Sequence, residues 1–92
     1  MKTPTIHTNG SSATTLLDGY AAVLDALSKA QDYLASTGPN GRDYYPQGES
    51  AYAVARAEHE ARIEKVRAVR EEIETIASIV SDQVDLRRGA RS

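Results

Sequence analysis

The chain has 92 residues, with 11 basic and 13 acidic side chains giving a formal net charge of −2, too near neutrality for a protein that coats DNA or RNA by neutralising phosphates. It contains no cysteine, which excludes a disulfide framework, thiolate catalysis and a cysteine-ligated metal. This length supports one domain at most, and domains of such size bury only about 60–65% of their unfolded surface, so stability is expected to depend on shared surfaces.

Residues 1–11 form a polar lead-in, extended over 5–8, without an apolar run. No apolar stretch elsewhere approaches the roughly 18 residues needed to span a bilayer, so the chain reads as a cytosolic protein. In that setting Asn9-Gly10-Ser11 is not a glycosylation acceptor. Instead Asn9-Gly10-Ser11-Ser12 supplies a turn and two hydroxyls able to accept free amide hydrogens, so a first helix is expected over about 12–36. Within it Leu16, Tyr20, Val23, Leu27, Ala30 and Leu34 recur at helical spacing as one apolar stripe. Thr37-Gly38-Pro39 should end it, glycine by taking a left-handed conformation and proline by refusing to continue the helix. A loop over 37–49 follows. Ser50 then opens a second helix over about 50–84, in which Tyr52, Ala55, His59, Arg62, Val66, Val69, Ile73, Ile76 and Val80 keep coiled-coil-like steps of three and four. Residues 85–92 make a short basic tail with at most a weak affinity for phosphate.

Two long helices joined by this loop are expected to run antiparallel, with Leu34 against Tyr52 and Leu16 near Ile73 and Ile76. Asp18, Asp25 and Asp32, seven apart, would then meet Arg70, Arg62 or Lys65, and Arg56, pairs weak in energy but able to fix register. Leu17, Leu24, Val54, Ile63 and Ile79 lie beside the stripes and widen the apolar face beyond what one partner helix covers. Long Lys and Arg stems folding over them are one explanation; self-association is the expected one. The predicted fold is therefore all-α, an antiparallel two-helix hairpin with a short extended N-terminal segment, assembled into a homo-oligomer.

The loop is the most informative segment for chemistry, since helix-to-helix connections usually take about 2–8 residues and longer ones tend to be functional. It sets Arg42, Asp43, Tyr44 and Tyr45 between turns rich in glycine and proline. A guanidinium fork suits phosphate and a phenol ring offers a stacking face, so the set suits a nucleotide. A structural alternative stands beside this, in which the tyrosines plug the open end of the hairpin and Arg42 and Asp43 pair locally. His59 and Arg62 interrupt the second stripe, either as partnered structural groups or as the wall of a site. His7 and Asn9 are further candidates, but His7 and His59 gain no companion ligands at metal spacing, so no metal is assigned. There is no serine-nucleophile elbow, glycine-rich phosphate loop or zinc-protease motif. An enzyme is not expected, and no cofactor is implied.

His7-Thr8-Asn9-Gly10-Ser11 ahead of a helix, with Gly41-Arg42-Asp43-Tyr44-Tyr45-Pro46-Gln47-Gly48 between two helices, resembles a group of short phage and prophage proteins over the whole chain. In size, hairpin architecture and expected assembly the chain is also similar to the phage anti-CBASS and anti-Thoeris sponges, though in no motif that carries over their ligand residues. The resemblance implies a protein of the infected bacterial cytosol that sequesters a nucleotide-derived immune messenger, a cyclic oligonucleotide or ADP-ribose type, without cleaving it. The Arg42 and Tyr44–Tyr45 loop would hold the ligand, with Asp43, His7, Asn9, His59 and Arg62 as further candidates. The alternatives are an oligomeric protein-interaction module and a structural component of phage assembly.

Overall fold

A computed structural model describes the backbone of residues 1–91 and the side chains of residues 1–86; the arginines of the expected basic tail lie outside the described side chains. The described elements are α1 (Ala13–Ser36), the single turn α2 (Gly41–Tyr44), a 3-10 turn (Tyr45–Gln47) and α3 (Ala51–Arg91). Helices α1 and α3 pack along each other as a rod of 67 × 22 × 20 Å. No helix among the described residues is long and apolar enough to cross a membrane.

Local chemistry sets the ends of the elements. Ser12 stands at the N-cap of α1, where its hydroxyl accepts from Thr15 N at 3.1 Å. At the other end Thr37 closes the helix: its amide donates to the Tyr33 and Leu34 carbonyls and its hydroxyl donates to Tyr33 O at 2.8 Å, occupying acceptors that the last turn leaves free. Gly38 does not take the left-handed conformation expected of it; among the described residues Gly48, at φ 107°, is the one glycine with positive φ. Thr37 supplies the hydrogen bonds that a left-handed glycine would have provided, and Pro39 bars continuation. Asn40 then caps α2, its side chain accepting from Arg42 N at 3.0 Å. The 37–49 connection is thus largely helical turn, and Gly48 supplies the left-handed backbone that launches α3.

The seam between the helices differs from the expected stripes. Val23, Tyr52, Arg62 and Val69 are exposed, while Leu17, Leu24 and Ile63 are half-buried. Among the covered positions, 17, 20, 24, 27, 31, 34 on α1 and 59, 63, 66, 70, 73, 77, 80 on α3 keep a heptad alternation, with Leu16, Ala30, Ala55, Ile76 and Ile79 among the half-buried residues beside it. The physical reason is a polar pair within the seam: Arg70 Nη1 donates to Gln31 Oε1 at 3.0 Å, so two residues that an apolar count rejects satisfy one another across the interface. Register shifts as well. His59, not Tyr52, meets Leu34, its Nε2 donating to the Leu34 carbonyl at 2.6 Å. The interhelical ion pairs foreseen for the three aspartates do not form. Asp25 binds Lys29 on its own helix, and Arg56, Arg62 and Arg70 bind Glu60, Glu58 and Glu74 along α3. Those i,i+4 partners need no tertiary order and win locally.

The N-terminal segment is strapped to the far end of α3. Ile6 N donates to Gln83 Oε1 at 2.8 Å, and Gln83 Nε2 donates to Pro4 O at 2.9 Å. One turn away, Val80 is 0% exposed, the one buried hydrophobic residue among those described.

Candidate ligand-binding site

Where the helical turns of the connection fold back on α3, two clefts open on either side of Tyr44. The first, of about 400 Å³, is walled by Tyr44, Gln47, Val54, Glu58, His59 and Arg62. The second, of about 560 Å³, is formed chiefly by Tyr44, Tyr45, Pro46 and Tyr52. Both lie in the size range of small-molecule sites.

His59 is half-buried and fixed by its bond to Leu34 O. Helix α1 ends there, so the bond also ties the end of α1 to α3. The ring donates through Nε2 to that carbonyl, and the residue lines the cleft. Arg62 is exposed and holds Glu58 Oε2 at 3.5 Å. An exposed pair of this kind is worth only about 0.3–0.5 kcal/mol, so the guanidinium is readily transferred to a stronger anion such as phosphate, with which it forms shorter, charge-assisted bonds. Tyr44 is half-buried, with its ring forming part of both clefts. The arrangement offers one cation, one imidazole, amide and hydroxyl groups and a flat aromatic wall, a set suited to binding.

Three of the eight sequence candidates, Tyr44, His59 and Arg62, therefore meet in one cleft, and Tyr45 lines the adjoining one with 84% of its surface exposed. Arg42 and Asp43 are exposed on α2 and line neither cleft. His7 and Asn9 lie at the opposite end of the rod. Their segment is held at Gln83, 24 residues along α3 from His59, which is roughly 36 Å at about 1.5 Å per residue. There His7 O accepts from Gly10 N at 3.2 Å and the imidazole folds over the turn, its Nε2 2.7 Å from where a Gly10 Cβ would stand.

Gln47, Glu58 and Tyr52 are site-lining residues that the sequence reading did not single out. Glu58 was legible through its i,i+4 relation to Arg62, whereas Gln47 carries no signal of its own in the sequence. Among the described residues no group of histidine, aspartate and glutamate is disposed to hold a metal. Comparison with family models, curated proteins and solved structures finds no match to the chain.

Proposed function

We propose that the chain is a phage anti-defence protein that binds and sequesters a nucleotide-derived immune messenger, of cyclic oligonucleotide or ADP-ribose type, without cleaving it, and that it does so as a homo-oligomer in the host bacterial cytosol. The observation that carries this reading is the cleft in which Arg62, His59 and Tyr44 converge. Arg62 would take a phosphate from Glu58, the Tyr44 ring would stack on a base, and Gln47 would read polar edges. The ligand needs only to be held, for which no nucleophile or acid–base pair is required.

The test is a thermal-shift panel of cyclic dinucleotides, cyclic trinucleotides and cyclic ADP-ribose isomers, followed by heat denaturation of the complex and mass spectrometry of what is released. One member should raise the melting temperature and be recovered intact; recovery of a cleaved product, or no shift with any member, overturns the reading. A second reading, a protein-interaction module, is favoured by the aromatic cleft of Tyr44, Tyr45, Pro46 and Tyr52, since exposed tyrosines are common anchors at interfaces. It requires that Tyr45→Ala abolish partner capture while leaving ligand binding unchanged.

A further inference from the structure

We infer that two copies of the chain pack antiparallel through one face of the hairpin, so that each ligand cleft is completed by the N-terminal segment of the partner. The inference rests on the ligand reading for what the cleft holds, and on separate observations for the pairing.

The first observation is surface area. The chain exposes 6931 Å², whereas a compact monomer of its mass exposes about 5,200 Å², an excess of roughly 1,700 Å² per chain. Two copies covering that excess would bury an area in the range of obligate homodimers, about 2,000–5,000 Å² in total.

The second is the position of a partly open face. Leu16, Val23 and Ala30 each precede a heptad position of α1 that is covered by the seam, and Arg62, Val69 and Ile76 do the same on α3; Val23, Arg62 and Val69 are exposed, and Leu16, Ala30 and Ile76 are half-buried. Because the helices run in opposite directions, the same rotation away from the seam brings both stripes to the same side of the hairpin. Val23 at 42% and Val69 at 46% exposure form its open floor. Gln83 continues the α3 stripe and carries the N-terminal segment at one end; Tyr44 and its cleft stand at the other, beside Arg62.

The third is charge. Residues 51–70 of α3 carry five bases and three acids, while residues 71–91 carry five acids and three bases. Antiparallel pairing sets the net positive half against the net negative half, and parallel pairing sets like against like.

Of the registers that this stripe allows, the proposed one joins the two groups of candidate residues. Arg62, Val69, Ile76 and Gln83 are seven apart, so a two-fold axis midway between Val69 and Ile76 places Val69 on the partner's Ile76 and Arg62 beside the partner's Gln83. The segment that Gln83 holds, with His7 and Asn9, then lies over the Tyr44, His59 and Arg62 cleft of the other chain. Two groups of candidates that stand at opposite ends of one chain become the two walls of one site, formed twice per dimer.

The experiment uses the absence of native cysteine. In a His7→Cys, Arg62→Cys chain the two thiols are far apart within one molecule, about 30 Å by helical rise, so a short bismaleimide links them only between chains. Light scattering should give twice the 10.0 kDa chain mass, and peptide mapping of the cross-linked dimer should identify residue 7 joined to residue 62. Val69→Glu, beside the axis, should yield a helical monomer that does not cross-link. A wild-type monomer at micromolar concentration, links only between like positions, or an undisturbed dimer in Val69→Glu overturns the arrangement. Cross-links of the expected kind with no ligand bound from the nucleotide panel uphold the arrangement and overturn the ligand reading alone.

Discussion

Tyr44 and Tyr45 are neighbours in sequence with different surroundings: one is half-buried between two clefts, and the other is 84% exposed. Tyr45→Ala should therefore leave stability within about 0.5 kcal/mol of wild type, whereas Tyr44→Ala should lower both the urea midpoint and the affinity for a stacked ligand. Equal effects from the two would remove Tyr44 from the wall of the site. His59 is subject to a sharper test. Replacing it with leucine keeps an apolar surface on the seam but deprives the Leu34 carbonyl of its partner on α3, leaving it only Thr37, which should cost about 0.5–1.5 kcal/mol in denaturant unfolding. Arg62→Ala should do the opposite, with little change in stability because its ion pair with Glu58 is exposed, and at least tenfold weaker binding of a phosphate-bearing ligand. The polarity of His59 and Arg62 was legible in the sequence. Their different roles depend on where α1 ends against α3, which composition does not encode.

At the scale of elements, the two helices and their antiparallel relation follow from capping residues and apolar period; the seam keeps Tyr20, Leu27 and Leu34 of the α1 stripe and His59, Val66, Ile73 and Val80 of the α3 stripe, and its alternate positions are one residue on from those expected. On α1 two stripes compete: one takes Leu16, Val23 and Ala30, the other Leu17, Leu24 and Gln31. The second wins because it places two leucines in the seam and because Gln31 has Arg70 to bond, a compensation visible only once both helices are in place. Gly48 offers a test of the connection. An alanine there must adopt φ 107°, so Gly48→Ala should destabilise the hairpin by about 1–2 kcal/mol, read as a lower melting temperature with unchanged helix content at 20 °C. Helix α3 also has a pH response of its own. The hydrogen bond from Arg67 holds the Glu64 carboxyl below its ordinary range, and Arg67 also binds Glu71. A depressed carboxylate contributes stability that is intact above its unfolded pKa and is lost as pH falls through the lower folded value. Helicity by circular dichroism should therefore decline on acidification into the region below normal carboxylate titration, and less so in Arg67→Ala.

The whole molecule is a rod with a radius of gyration of 19.9 Å, against about 12 Å for a compact domain of this length. Its interior is thin, with Val80 the one buried hydrophobic residue among those described. Val80→Ala should accordingly cost a large share of the stability a single chain has, about 1–3 kcal/mol. Because apolar surface remains open along Val23 and Val69, the melting temperature of the wild type should rise with protein concentration, as mass action requires of a chain stabilised by its own kind. A concentration-independent value over two decades would count against self-association. Self-association is an expectation from apolar positions beside the stripes, and three of these, Leu17, Leu24 and Ile63, lie instead in the seam of the hairpin. Sequence order alone puts His7 and Asn9 at the end of the hairpin opposite the loop, but not how they are held there, because the N-terminal segment is fixed by Gln83, a residue whose type and spacing announce nothing.

The Gln83 strap has one further consequence. A primary carboxamide is a side-chain copy of the peptide group, and by donating to Pro4 O while accepting from Ile6 N it forms a single rung of sheet pairing without a second strand. Such a contact recognises main chain and disregards side-chain identity. The segment is therefore free to vary in sequence around the rung, with two asymmetric rules: proline is admissible at position 4, where only a carbonyl is used, and inadmissible at position 6, where an amide hydrogen is required. Glutamate in place of Gln83 would keep the acceptor and lose the donor, and asparagine would keep both groups on a stem one methylene shorter.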